Sequence, residues 1–197
     1  LNLARRLRAS SISFHADAML HANGAELLDR LADEQRTENV LSVWLDEYAQ
    51  RGRAFQTASI ARDLNGDWLL FGDALRTVRL PVSEMTPQIS TDVVGYSDRD
   101  TNRYIHLARN HAVLKPVHDN ASALRLIDAS APLKSWHLNS DGSATLLFES
   151  RGDLTLGIPA SCALKVDGEA LISQQRNSHS IYVIPEKKAS GEFSLAC

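Results

Sequence analysis

The chain has 197 residues, and its 44% hydrophobic and 23% charged content is typical of a packed soluble protein and argues against disorder. Its formal net charge of −3 gives no reason to expect nucleic acid, whose binding proteins carry a basic patch or stripe. No apolar run approaches the roughly 18 residues that a membrane-spanning helix needs.

The first 55 residues alternate between strand-like and helix-like segments. "SISFH" (residues 11–15) and "VLSVWL" (40–45) predict short strands, and "GAELLDRLADEQRTEN" between them predicts an amphipathic helix. "EYAQRGRAF" predicts a second helix with Asp46 as its N-cap. This order is typical of a parallel α/β sheet, which needs more than two strands. We therefore expect residues 1–55 to be the end of a larger domain.

After residue 56 the hydrophobic period changes to two, which favours strands. Asn65–Gly66 and Asp167–Gly168 each separate two strand-like runs and predict β-hairpins. About a dozen short strands in residues 56–197 predict an all-β sandwich or jelly roll. The polar stretch "YSDRDTNR" at residues 96–103 is predicted to be a solvated turn. The fold class is therefore α+β, a short α/β segment followed by a β-sandwich.

The two cysteines, Cys162 and Cys197, belong to no metal-binding or redox motif. Their spacing allows either one disulfide in an exported protein or two free thiols.

The junction between the two parts resembles a known family. "VWLDEYA", "ASIAR", "NGDWLLFG", "LRTVRLP" and the later "VVGYSDRDTNRYIHLA" together resemble PelA-type enzymes, which modify the Pel exopolysaccharide. The likeness covers roughly residues 10–108. It implies that residues 1–55 are the last strand–helix elements of a polysaccharide deacetylase barrel and that residues 56–197 are an appended module.

The resemblance also implies a reaction. Enzymes of this family look periplasmic and remove acetyl groups from an amino-sugar polymer with a divalent, zinc-like metal. "SISFH" would correspond to the last barrel strand, which implies that His15 acts as general acid toward the leaving amine. Expected partners are the amino-sugar polysaccharide and other components of a polysaccharide synthesis and export complex.

The histidine pattern provides no metal site of its own. None of the seven histidines forms a His-x-x-x-His or a His-x-His motif, so no metal ligands are predicted in this chain. We therefore expect no deacetylation by this chain alone.

Four residues are candidates for contact with sugar, because aromatic rings stack on sugar C–H faces and carboxylates accept hydrogen bonds from hydroxyl groups. They are Trp44, Asp46, Tyr48 and Trp136. The alternative roles are core packing for Trp44 and Trp136 and helix capping for Asp46. The alternation in "LKSWHL" leaves open whether Trp136 points into the core or outward.

The resemblance, together with the change of periodicity near residue 56, implies the C-terminal part of an exopolysaccharide N-deacetylase, whose β-sandwich is expected to support the catalytic domain and help hold polymer near it. The alternatives are a free-standing carbohydrate-binding module and a structural module that recruits a partner. An outward-facing aromatic strip would favour the former, and a large exposed apolar patch would favour the latter.

Overall fold

The computed structural model describes residues 23–37, 45–73, 75–117, 124–150, 152–176 and 179–197. The chain divides into two compact units, residues 1–46 and 47–197. The sequence predicts this boundary later, between residues 55 and 56. The observed boundary instead places most of the second predicted helix in the unit 47–197. The predicted strand at residues 11–15, and residues 40–44 of the next one, lie outside the described residues.

Both predicted helices are present as α1 (Gly24–Thr37) and α2 (Leu45–Gln56), and a single-turn helix α3 (Glu186–Ala189) lies near the C-terminus. Helix α2 begins at Leu45, so Asp46 lies inside its first turn. The predicted N-cap role of Asp46 is therefore wrong, although a carboxylate in the first turn still interacts favourably with the helix dipole. Glu47 and Arg51 lie one turn apart on α2 and form an ion pair of 2.6 Å.

The remaining described residues are mainly antiparallel β-strands, which confirms the prediction of a β-rich, sandwich-like unit. The strands of its N-terminal half are β1 (Ser59–Arg62), β2 (Trp68–Phe71), β3 (Thr77–Pro81), β4 (Val93–Arg99), β5 (Asn102–Leu107) and β6 (His111–Leu114). Those of its C-terminal half are β7 (Asp128–Ala129), β8 (Leu133–Leu138), β9 (Ala144–Phe148), β10 (Leu154–Pro159), β11 (Ala163–Val166), β12 (Glu169–Ala170), β13 (Gln174–Arg176), β14 (His179–Ile184) and β15 (Phe193–Ala196).

The sheets pair up around two hydrophobic cores. The sheets β1-β2-β6 and β3-β5-β4 share the N-terminal core, which includes Leu70, Ile105 and Leu114. The sheets β13-β14-β10-β7 and β12-β11-β15-β9-β8 share the C-terminal core, which includes Leu156 and Phe193. Alternating apolar residues build both cores, because successive side chains of a strand point to opposite faces.

Both predicted hairpins form, but with different turns. In β11–β12 the residues Asp167 and Gly168 both have positive φ, at 48° and 83°, as a two-residue type I′ turn requires. The β1–β2 loop is longer, and the carboxylate of Asp63 organises it by accepting hydrogen bonds from the backbone N–H groups of Asn65 and Asp67. An Asx-type turn therefore shapes the β1–β2 loop.

The predicted solvated turn within residues 96–103 is present but short: Asp100 and Thr101 form an exposed turn, and the residues on either side belong to β4 and β5. Arg103 belongs to the strand part, because its side chain is only 8% exposed and binds Asp98 through two hydrogen bonds of 2.7 and 2.8 Å. Its remaining guanidinium nitrogen donates to the carbonyl oxygen of Met85 and to Thr86, each at 2.7 Å. These bonds let a charged residue sit within the sheet.

The two β-halves meet where residues 124–127 pass along β4. Gly95 forms an isolated parallel bridge with Leu126, and a Cβ atom at Gly95 would lie 1.8 Å from the Leu126 carbonyl oxygen. Strand β4 also serves both cores, because Val93 belongs to the N-terminal core and Val94 to the C-terminal core. The junction therefore depends on a close contact between two backbones, which only glycine allows.

Side chains add further bonds across this junction. His106 Nε2 donates to the Ile127 carbonyl oxygen at 2.9 Å, and Arg99 forms an ion pair with Asp128 at 3.3 Å. Burial lowers the pKa of His106, and the positive charge of Arg99 acts in the same direction, against the opposing effects of the Ile127 hydrogen bond and the Asp128 charge.

A disulfide joins Cys162 to Cys197 and so ties the end of strand β15 to the start of β11. Of the two possibilities that the sequence left open, the structure shows the bridge.

We expect Gly95→Ala to lower the free energy of unfolding by about 3 kcal/mol or more, because the new methyl group meets backbone atoms that have no room to move. The measurement is denaturant unfolding followed by tryptophan fluorescence. Gly152→Ala is the matched control, because a Cβ atom there has no neighbour within 4 Å. Equal stability of the two variants would contradict the proposed role of the close contact.

We expect stability to depend on His106 below neutral pH. Its folded pKa is lower than its unfolded value of 6.5, so its contribution is complete above pH 6.5 and is lost as the pH falls from there through the lower folded pKa. In His106→Gln the amide keeps a donor for Ile127 and does not titrate. Unfolding between pH 7 and 5 should show a shallower pH slope for this variant than for the wild type, and an equal slope would contradict this role of His106.

Removing the disulfide should lower the free energy of unfolding by about 4 kcal/mol, since it closes a loop of 35 residues. The measurement compares unfolding with and without dithiothreitol. The double variant Cys162→Ala/Cys197→Ala should match the reduced wild-type protein and should not respond to the reductant. A response of the double variant would show that the reductant acts by another route.

Candidate binding cleft in the unit 47–197

The sequence-predicted site residues do not converge on one place among the described residues. His15 and Trp44 lie outside those residues. Asp46 is exposed in the first turn of α2, and Tyr48, 49% exposed, lies two residues further along the same helix. Trp136 lies in the five-stranded sheet, on β8. Their role in sugar binding stays a prediction.

Trp136 points into the protein, which resolves the two orientations that the sequence left open. A β-bulge between Leu133 and Ser135 shifts the alternation of β8, so that Leu133, Trp136 and Leu138 all pack against the C-terminal core. The indole Nε1 donates a hydrogen bond of 2.8 Å to the carbonyl oxygen of Ser90. These contacts give Trp136 a structural role, since the indole tethers the β8 sheet to the loop before β4.

An open cleft of about 690 Å³ lies elsewhere in the same unit. It is bounded by one face of helix α2, by the loop between β2 and β3, and by the adjoining ends of β8 and β9. The lining residues are Glu47, Gln50, Arg51, Arg53, Ala54, Thr57, Asp73, Arg76, Pro132, Leu133, Lys134 and Glu149. Charged and amide side chains dominate this lining, and Tyr48 and Trp136 are not part of it.

Helical periodicity explains the α2 wall. Glu47, Arg51 and Ala54 recur at intervals of four and three residues and therefore lie on one face of the helix. Thr57 follows the last residue of α2 and is the last lining residue on this side. Its hydroxyl donates a hydrogen bond of 3.0 Å to the Ala54 carbonyl oxygen. The Glu47–Arg51 ion pair fixes two charged groups in the lining of the cleft.

Arg76 lies in the loop between β2 and β3 and lines the same cleft. Its Nη1 donates to the carbonyl oxygen of Leu75 at 2.9 Å and also to the side-chain oxygen of Asn110. Partial burial and the nearby positive charge of Arg51 both lower the pKa of the Arg76 guanidinium, burial having the larger effect. The cleft therefore holds two neighbouring guanidinium groups.

The cleft residues Arg51, Arg76, Lys134 and Glu149 were not predicted from the sequence. They come from four separate segments, and none belongs to a local motif. Only the Glu47–Arg51 spacing could have indicated a paired charge on α2.

The described residues offer no group of three or more histidine, cysteine, aspartate or glutamate side chains that could hold a metal ion. The metal that the resemblance implies would need donors from outside them. None of the described helices is long and apolar enough to cross a membrane.

No protein-family model matches this chain, and comparisons with curated proteins and with solved structures find no significant match.

Proposed function

We propose that the chain is the C-terminal part of a bacterial exopolysaccharide N-deacetylase of PelA type. In this proposal the β-rich unit binds the amino-sugar polymer and supports the catalytic domain. The resemblance of residues 10–108 supports the family, and the polar cleft between α2 and the sheets supports the binding role.

The cleft has the chemistry that a saccharide needs. Sugar hydroxyl groups donate and accept hydrogen bonds, and the cleft offers carboxylates, guanidinium groups and the amide of Gln50 in one open concavity. A deacetylated amino sugar also carries an ammonium group, which favours a carboxylate partner. Asp73 suits this role, because it lines the cleft, is exposed and forms no ion pair within the described part of the chain.

His15 is the proposed general acid of the intact enzyme. A protonated imidazole donates its proton to the departing amine when the amide bond breaks, which makes the amine a better leaving group. The metal-binding motif of the family has no match in this sequence, so His15 alone does not complete a catalytic site.

The Cys162–Cys197 disulfide is compatible with the proposed periplasmic location, because disulfides persist in oxidising compartments. The other components of a polysaccharide synthesis and export complex remain the proposed protein partners.

The second candidate function is a free-standing carbohydrate-binding or structural module without catalysis. The observation that favours it is that the cleft lies entirely within the unit 47–197. The deacetylase proposal and the carbohydrate-binding alternative both require the cleft to bind saccharide and differ in whether binding serves catalysis, whereas a structural module does not require saccharide binding.

We expect partially deacetylated amino-sugar oligomers to bind the protein saturably in isothermal titration calorimetry. Asp73→Asn should weaken binding by about tenfold, since replacing a charge-assisted hydrogen bond by a neutral one loses about 1.4 kcal/mol. Asp100→Asn is the matched control, because this turn residue lies outside the cleft and asparagine tolerates its positive φ of 54°.

Binding that is lost in Asp73→Asn and kept in Asp100→Asn would place the polymer in the cleft. Absence of binding at millimolar oligomer would overturn the carbohydrate role of the unit. Fully acetylated oligomers serve as a further control, because they lack the ammonium group and should bind less tightly.

A further inference from the structure

The cleft contains a positively charged subsite that the amino-sugar polymer does not explain. Arg51 and Arg76 both line this cleft, one from α2 and the other from the loop between β2 and β3. Each guanidinium carries five N–H donors in a planar fork, and only part of this capacity is used by the protein.

Arg76 has only neutral hydrogen-bond partners in the described part of the chain. They are the Leu75 carbonyl oxygen and the Asn110 amide oxygen, and no carboxylate lies within ion-pair distance. Several other arginines of the same unit have such a carboxylate, among them Arg99 with Asp128 and Arg103 with Asp98. Among the described residues, therefore, no acidic side chain forms an ion pair with Arg76.

The second guanidinium increases this excess of charge. Arg51 lines the same cleft, and its positive charge adds to the larger effect of burial in lowering the pKa of Arg76. Glu47 partly offsets the charge of Arg51 through its 2.6 Å contact. An anion that accepts hydrogen bonds from both guanidinium groups would relieve the repulsion.

The rest of the lining limits the size of such an anion. Lys134 and Arg53 add positive charge to the lining, whereas Asp73 and Glu149 add negative charge. These carboxylates disfavour a long polyanion that follows the whole cleft, so a compact oxyanion fits the lining better. Arginine forks are suited to the oxygens of carboxylate and phosphate groups, which they bind in a bidentate manner.

We propose that Arg51 and Arg76 form a subsite for a compact oxyanion, either free phosphate or a carboxylate carried by a sugar. The inference goes beyond the proposed function, because an amino-sugar polymer contributes cationic rather than anionic groups. It does not require that the polymer bind.

The test is calorimetric titration of the protein with inorganic phosphate and, separately, with glucuronate, at constant ionic strength set by sodium chloride. We expect saturable binding of at least one of the two. Arg76→Gln should weaken it by about tenfold or more, because charge-assisted hydrogen bonds contribute about 1.5–3 kcal/mol. Arg79→Gln, an exposed arginine of β3 that does not line the cleft, should bind like the wild type.

Binding of phosphate alone would identify a free phosphate as the ligand, and binding of glucuronate alone would identify a sugar carboxylate. Arg76→Lys keeps the charge but loses the planar fork, and we expect it to bind between the wild type and Arg76→Gln. Circular dichroism checks that each variant is folded.

Absence of saturable binding of either probe would overturn the proposal, and so would equal loss of binding in Arg76→Gln and Arg79→Gln. The outcome is separate from the oligomer titration, because Asp73→Asn removes the proposed ammonium partner and leaves both arginines in place. Failure of the polymer to bind would therefore not remove the oxyanion subsite.

Discussion

The close approach of two backbones at Gly95 and Leu126 is the constraint on which the β-rich unit depends. A Cβ atom at residue 95 would lie 1.8 Å from a carbonyl oxygen, so the contact exists only because this residue has no side chain. The neighbouring residues Val93 and Val94 then belong to different cores. Strand β4 therefore contributes to both hydrophobic cores. The hydrogen bond of His106 and the ion pair of Arg99 stabilise the same junction.

The candidate cleft follows from this arrangement. Trp136 donates a hydrogen bond to the Ser90 carbonyl oxygen and thereby holds β8 close to the N-terminal half. The ends of β8 and β9 then lie near helix α2 and the loop that carries Arg76, and together they line one concavity. A tryptophan that the sequence offered as a binding residue thus contributes to the cleft as a structural support, because its ring is occupied by packing.

Local patterns predicted the elements better than the turns and the site. Alternation predicted strands such as β5, where Ile105 and Leu107 share the buried face, and the Asp167–Gly168 pair marked a true hairpin. The polar stretch before Arg103 predicted a longer turn than the one that forms, because the charge of Arg103 is neutralised by Asp98 and its other donors reach acceptors of a distant loop. A local pattern does not show such a partner, so a buried arginine in a strand resembles a solvated turn.

The sequence by itself determined the change from helical to strand periodicity, the positions of most strands and the absence of a metal-binding motif. These properties depend on residues that are neighbours along the chain, where side-chain spacing and turn chemistry act directly. Tertiary structure alone decided the Cys162–Cys197 pairing, the inward orientation of Trp136 and the presence of Arg51 and Arg76 in one cleft. The physical reason is that each of these depends on segments far apart in sequence, which come together only when the sheets pack.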